Sequence, residues 1–190
     1  MLNVLKVLSL GLVASAGCIG APLDQPILRT QFGGNARRIA TPVPASVARV
    51  ATSTAAKSDA SAPLDNAYTG AMQFSLRPFR YLYLGAEFEA GVLSSPGSSF
   101  AAAYSVAGIE ASTSGAGLAI EILYGRQWLS GDIDLDPVGI TAIEPRVRFQ
   151  YLLDPQVAIG GMVGASAVPE ERGWMGGLYI GIYSHPADGS

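Results

Sequence analysis

The run Ile143-Glu144-Pro145-Arg146-Val147-Arg148-Phe149-Gln150-Tyr151 decides how this chain folds. Ile143, Val147, Phe149 and Tyr151 share one parity; Glu144, Arg146, Arg148 and Gln150 share the other. Successive side chains of a β-strand point to opposite faces, so a period of two gives one greasy face and one charged face. The pattern extends over about Gly139 to Leu152. That is longer than the five or six residues usual in globular strands. It suits a tilted membrane strand of about nine to eleven residues plus its ends.

The same period recurs on both sides of this run, between clusters of Gly, Pro, Ser and Asp. From about Ala67 to Arg77, Tyr68, Gly70, Met72, Phe74 and Leu76 oppose Thr69, Gln73, Ser75 and Arg77. From about Arg80 to Leu93, Leu82, Leu84, Ala86, Phe88 and Val92 oppose Tyr81, Tyr83, Glu87 and Glu89. A strand over about Ser99 to Ala111 is expected to carry Phe100, Tyr104 and Val106 on its apolar face. From about Gly117 to Leu129, Leu118, Ile120, Ile122 and Tyr124 oppose Glu121 and Gln127. A Gly/Ala-rich strand follows at about Gln156 to Val168, with Val157, Ile159 and Val163 on one side. The last, at about Gly173 to Ser184, sets Trp174, Leu178, Ile180 and Ile182 against Tyr179 and Tyr183. Glu110 and Arg126 break the rule by falling on apolar parities, both near strand ends. A bulge or a snorkelling side chain would accommodate them.

Period two alone does not separate a soluble barrel from a membrane barrel, which puts its apolar parity outside. Composition favours the membrane. Charged residues are 14% of 190, mean hydropathy is +0.31, and Gly numbers 23. A soluble domain carries about a quarter charged residues. No apolar block is long enough for a spanning helix, so the greasiness is spread thinly, as in strands. The central strands mix Glu87, Glu89, Glu121 and Glu144 with Arg146 and Arg148 on their polar parities. Such a set suits a narrow, filled lumen in which each ion needs a partner. Gly and Ala among the large aliphatics suit a lipid-facing wall better than a packed core. With the short turns Arg77 to Arg80 and Leu153 to Gln156 on the periplasmic side, aromatic residues collect at two levels. Tyr68, Phe100, Trp128 and Trp174 form the outer girdle, and Phe79, Tyr151 and Tyr183 the inner one.

Upstream, Met1 to Lys6, the apolar run Val7 to Ala14 and Ser15-Ala16-Gly17-Cys18 read as an export signal over residues 1–17. Ala14-Ser15-Ala16 fits ordinary signal peptidase. Ser15-Ala16-Gly17-Cys18 resembles a bacterial lipobox, with Ser15 where Leu is usual, and implies lipidation of Cys18. The lipoprotein reading gives the unpaired cysteine a purpose. Residues 18–65, rich in Ala, Pro, Ser and Thr, read as a tether. Val47 and Val50 mark a weak strand at Ala45 to Ala51. Single-chain bacterial barrels have an even strand number. An eighth strand is therefore expected ahead of the seven, within residues 36–54.

The pattern over residues 66–184 resembles the eight-stranded OmpA/OmpX type of outer-membrane barrel. The resemblance implies an all-β, antiparallel up-and-down transmembrane barrel followed by a tail at 185–190. That family usually ends on an aromatic residue, whereas Tyr183 is followed here by Ser184 to Ser190.

Little in the sequence points to chemistry. One His and one Cys cannot build a His/Cys metal centre, and 12 Lys+Arg without a dense basic run give nucleic acid nothing to bind. His185 lies past the last strand with no nucleophile placed beside it. Glu87 and Glu89 point the same way and read as partners for arginine. Asp132, Asp134 and Asp136 lack the glycine turn and closing Glu of an EF-hand loop. Gly160-Gly161 and Gly176-Gly177 fall inside strands and make no phosphate-binding loop. The reading is a non-enzymatic outer-membrane barrel without cofactor or metal, structural or partner-binding in role. Its partners are outer-membrane lipid and other envelope proteins. The alternatives are a soluble lipid-anchored calyx for an apolar ligand, or a barrel subunit of a larger envelope complex.

Overall fold

A computed structural model describes residues 22–40, 64–95, 97–113, 115–130, 138–167 and 173–184. Eight strands run in chain order: β1 (Pro22–Ala40), β2 (Leu64–Phe79), β3 (Leu82–Leu93), β4 (Ser99–Ser112), β5 (Ala116–Ser130), β6 (Val138–Leu152), β7 (Val157–Ala165) and β8 (Trp174–Ser184). Every neighbouring pair is antiparallel, and β8 pairs back onto β1 through Leu28↔Ser184 to Arg38↔Trp174. The sheet is a closed barrel, so no strand edge is left unpaired.

The eighth strand lies upstream of its expected window. β1 shares only residues 36–40 with 36–54, and the stretch Ala45 to Ala51 lies outside the described residues. Composition hid it. Leu28 and Phe32 are the large apolar residues of its outward parity, which Thr30, Gly34 and Ala36 dilute; Arg29, Gln31, Asn35 and Arg37 fill the other. So polar a segment reads as tether until its period is counted.

The burial pattern inverts that of a soluble protein. Leu84, Phe88, Ile120, Ile122, Phe149, Leu178 and Ile180 face outward and are exposed, whereas nine Arg and Glu side chains are buried. Outward apolar residues cover the wall of every strand, as a hydrocarbon solvent requires.

One strand reverses the expected parity. Phe100, Tyr104 and Val106 of β4 are buried in the lumen, and Ala101, Ala103, Ser105, Ala107 and Ile109 face out. The bulky residues of this strand fill the centre, while its small ones meet lipid. Glu110 then belongs to the interior parity and is no exception. Arg126 does stay on the outer face.

Register fixes the tilt. Stepping across the ladders from Leu28 passes Leu76, Leu84, Ala107, Ile122 and Pro145. One residue beyond the last β6–β7 pair, the path continues through Ala165 and Trp174 to Arg38. A circuit of eight strands thus advances ten residues along β1. That stagger tilts the strands by about 40° and gives each residue about 2.5 Å of height.

Candidate functional site

The interior is the chemically rich part of the molecule. Its charged members come from β1 to β6, and β7 and β8 contribute Met162, Met175, Tyr179 and Tyr183. Two chains of alternating charge fill it. Nearer the turn end, Arg77 pairs with Glu110 at 3.3 Å, Glu110 with Arg29 at 2.6 Å, Arg29 with Glu121 at 3.9 Å and Glu121 with Arg148 at 2.6 Å. Nearer the loop end, Glu87 pairs with Arg146 at 2.7 Å, Arg146 with Glu144 at 3.2 Å and Glu144 with Arg37 at 2.6 Å; Arg37 also pairs with Glu89. The first chain has three arginines and two glutamates, the second three glutamates and two arginines. Together they are neutral.

Neutral side chains take up part of the remaining hydrogen-bonding capacity, while Glu121 Oε2, Arg146 Nε and Arg148 Nε have no hydrogen-bond partner among the described residues. Tyr83 Oη donates to Glu121 at 2.6 Å, and Gln127 Nε2 to Glu144 at 2.7 Å. Gln150 Nε2 donates to Glu110 at 3.1 Å, and Arg148 also donates to Gln31 and Gln73. The Arg29 guanidinium stacks 4.1 Å from the Tyr83 ring centre, and that of Arg148 4.1 Å from Tyr179. An open recess of about 460 Å³ at the turn end reaches Arg77, Glu110, Gln150 and Tyr183; the small cavities beside Glu144 and beside Glu110 hold about 10 Å³ each. That is about the room for one water molecule. A lumen this full offers no calyx for an apolar ligand, and the Leu/Ile/Phe parity that would line one faces the other way.

The structure places Glu87, Glu89, Glu121, Glu144, Arg146 and Arg148 together in this network. Sequence reasoning missed Arg29 and Arg37, inside the supposed tether, and left Glu110 as an exception. The signal for all three was parity: each is a lone charge at an inward register position. Of the expected girdle, Tyr68, Tyr151 and Trp174 are exposed on the outer wall. Trp128 is half-buried on the same wall, and Phe79 is half-buried at the turn end. Phe100 and Tyr183 are not girdle residues. Phe100 lies in the lumen, its ring centre 5.4 Å from the Arg37 guanidinium. Tyr183 is buried and donates to Gln150 at 2.5 Å. Both sit on the parity that fills the barrel, and nearness to a strand end does not turn a side chain through the wall. Cys18, His185, Asp132, Asp134 and Asp136 lie outside the described residues.

No protein-family model and no curated protein matches the chain. Solved structures do. Neisserial surface protein A superposes with a TM-score of 0.54 at 11% identity, over 84% of this chain and 98% of that one. The attachment invasion locus protein Ail of Yersinia pestis gives 0.52 at 11% identity, over 84% and 99%. The N-terminal β-barrel domain of Pseudomonas aeruginosa OprF gives 0.51 at 12% identity, over 82% and 97%. The fold is that of the small outer-membrane barrels. Identities this low carry the architecture and not the role. In a small outer-membrane barrel of eight strands the lumen is a packed core, as found here.

Proposed function

We propose that the chain is a non-enzymatic, non-conducting barrel of the bacterial outer membrane with a structural or partner-binding role. Its loop-rich end faces outward. Residues 1–17 act as the export signal, and lipidation at Cys18 tethers the start of β1 to the periplasmic leaflet. The observation that carries this reading is the pairing of an apolar outer wall with a neutral, filled lumen. Such a body is stable only with hydrocarbon around it. Among the described residues, its interior leaves no continuous water path for solutes and places no nucleophile beside a base. The acidic ladder is consumed in ion pairs with arginine, so its carboxylates are not free for acid–base work.

Cysteine labelling tests the reading. With Leu84→Cys and Glu87→Cys in separate chains inserted into vesicles, a fluorophore at Leu84 is quenched by brominated acyl chains and one at Glu87 is not. The reverse result removes the membrane barrel. Mass spectrometry of the mature N-terminus tests the anchor separately: an unmodified chain starting at Gly17 ends it.

A further inference from the structure

Resting on the outer-membrane reading, the geometry points to a belt on the outer wall that takes the phosphates of the glycolipid leaflet at the loop end. The wall is almost free of charge. Among the described residues, every strand glutamate is buried in the lumen. Among the strand residues whose side chains are described, two break the neutrality of the outward parity: Arg38 on β1 and Arg126 on β5. Both are exposed and both are cations. Neither has a hydrogen-bond or ion-pair partner among the described residues.

The stagger of the barrel puts them at one height. Ile122 stands four strands, half a circuit, from Leu28, so it lies about five residues above it, level with Gly33. Arg126 is four residues further toward the loops and comes level with Arg37, within one residue of Arg38. Trp174, paired with Arg38, lies about one residue lower. Tyr68, paired with Ala36, falls at the same level, and Trp128 stands two residues above Arg126. The belt therefore holds two cations on opposite sides of the barrel, each with a tryptophan within about two residues of its level. Counted the same way, Tyr151 at the turn end lies about nine residues below Arg126. The uncharged band between them is about 22–25 Å tall, the height of the apolar band of a membrane barrel. Both arginines thus stand at the hydrocarbon boundary, at headgroup depth.

The wall next to Arg126 is shaped for its side chain. Gly139 lies on β6 opposite Trp128, two pairs closer to the loops than Arg126. A Cβ at Gly139 would stand 2.5 Å from Arg126 Nε. The guanidinium therefore runs along the bare backbone of β6 toward the loop end. A cation reaching out of hydrocarbon takes this course when the nearer interface lies that way. A fixed guanidinium fork suits a phosphate, which accepts two parallel N–H bonds. An anionic leaflet supplies phosphates at this depth, and among the described residues no acid on the outer wall competes for the two guanidinium groups.

The test uses the full mature chain in neutral detergent, native mass spectrometry and bis-phosphorylated lipid A, with lipid A stripped of both phosphates and inorganic phosphate as comparison probes. Two lipid A molecules are expected per barrel, bound at least tenfold more tightly than the dephosphorylated form and not displaced by millimolar inorganic phosphate. Arg126→Gln removes one of the two, and Arg38→Gln with Arg126→Gln lowers overall retention by about tenfold. Arg126→Lys restores most of it. Gly139→Ala, which moves the guanidinium without changing charge, weakens one site. Equal binding of both lipid A forms, an unaffected double glutamine variant, or displacement by inorganic phosphate overturns the proposal. Vesicle insertion and heat-dependent gel mobility are followed in parallel. Failure of the unsubstituted chain there refutes the membrane barrel itself, a different outcome from loss of lipid preference in an inserted barrel.

Discussion

Replacing Arg146 with Met should expose how strongly the lumen depends on charge pairing. Arg146 is among the most deeply buried side chains of the protein. It contacts Glu87 at 2.7 Å and Glu144 at 3.2 Å. The two acids are not equally dependent on it. Glu144 keeps Arg37 at 2.6 Å and Gln127 at 2.7 Å. Glu87 has no other ion-pair or hydrogen-bond partner among the described residues. The substitution therefore strands one buried carboxylate in a chain of charges that already holds an extra acid. Breaking a buried pair from one side costs about 3–5 kcal/mol, most of it the desolvation of the orphaned ion. Adding Glu87→Gln to Arg146→Met removes that ion and should recover about 2–3 kcal/mol. Adding Glu144→Gln instead should recover little, because that acid was never orphaned. The assay is reversible urea unfolding in lipid vesicles, read by tryptophan emission and by heat-dependent gel mobility. A loss below about 1 kcal/mol for Arg146→Met would show that water solvates Glu87. Equal recovery from the two second-site changes would show that the pairing assigned here is wrong.

Other expectations follow from the wall and the register. Ile122→Arg places a cation near mid-height of the apolar band and should destabilise the inserted barrel by about 2–4 kcal/mol in the same unfolding assay. A lipid-soluble thiol reagent should label Ala101→Cys and leave Phe100→Cys untouched; the opposite pattern would restore the β4 parity expected from sequence. At Gly125 a Cβ would stand 2.0 Å from the Ala103 carbonyl oxygen. Gly125→Ala should therefore cost about 1–3 kcal/mol. Gly70→Ala, with its nearest atom at 4.0 Å, should behave as a neutral surface change. In planar bilayers the barrel should show no stepwise ion conductance, and steady open-channel steps would contradict a filled lumen.

Strand existence and the inversion of burial were legible wherever charges of both signs sat on one parity against large aliphatics. β6 is the clearest case, and β3 and β5 follow it. Legibility failed where side-chain size and destination part company. In β4 the bulky Phe100 and Tyr104 looked like lipid-facing residues because their alternates are alanines. Lipid tolerates alanine, however, and a lumen between charged ladders needs bulk. Tyr104 accepts a bond from Gln127 at 3.0 Å, a contact no strand-local pattern reveals. Glu110 was the available warning, since one charge on a supposed lipid face is costlier than two misplaced aromatics. β1 failed for the opposite reason. Arg29 and Arg37 find their partners 81 and 107 residues away, so only their shared parity, and no neighbouring acid, marks them as interior.

Those long separations bear on how the barrel is made. β1 leaves the ribosome before β2 to β8, yet Arg29 and Arg37 answer acids that arrive much later. A sheet of β2 to β8 alone would carry Arg77, Arg146 and Arg148 against five glutamates, and so hold an excess of two negative charges facing inward. Only when β1 joins the sheet does the sum reach zero. The strand thus works as a completion check: a sheet without β1 repels itself across its own concave face, and the two arginines that β1 brings cancel that repulsion.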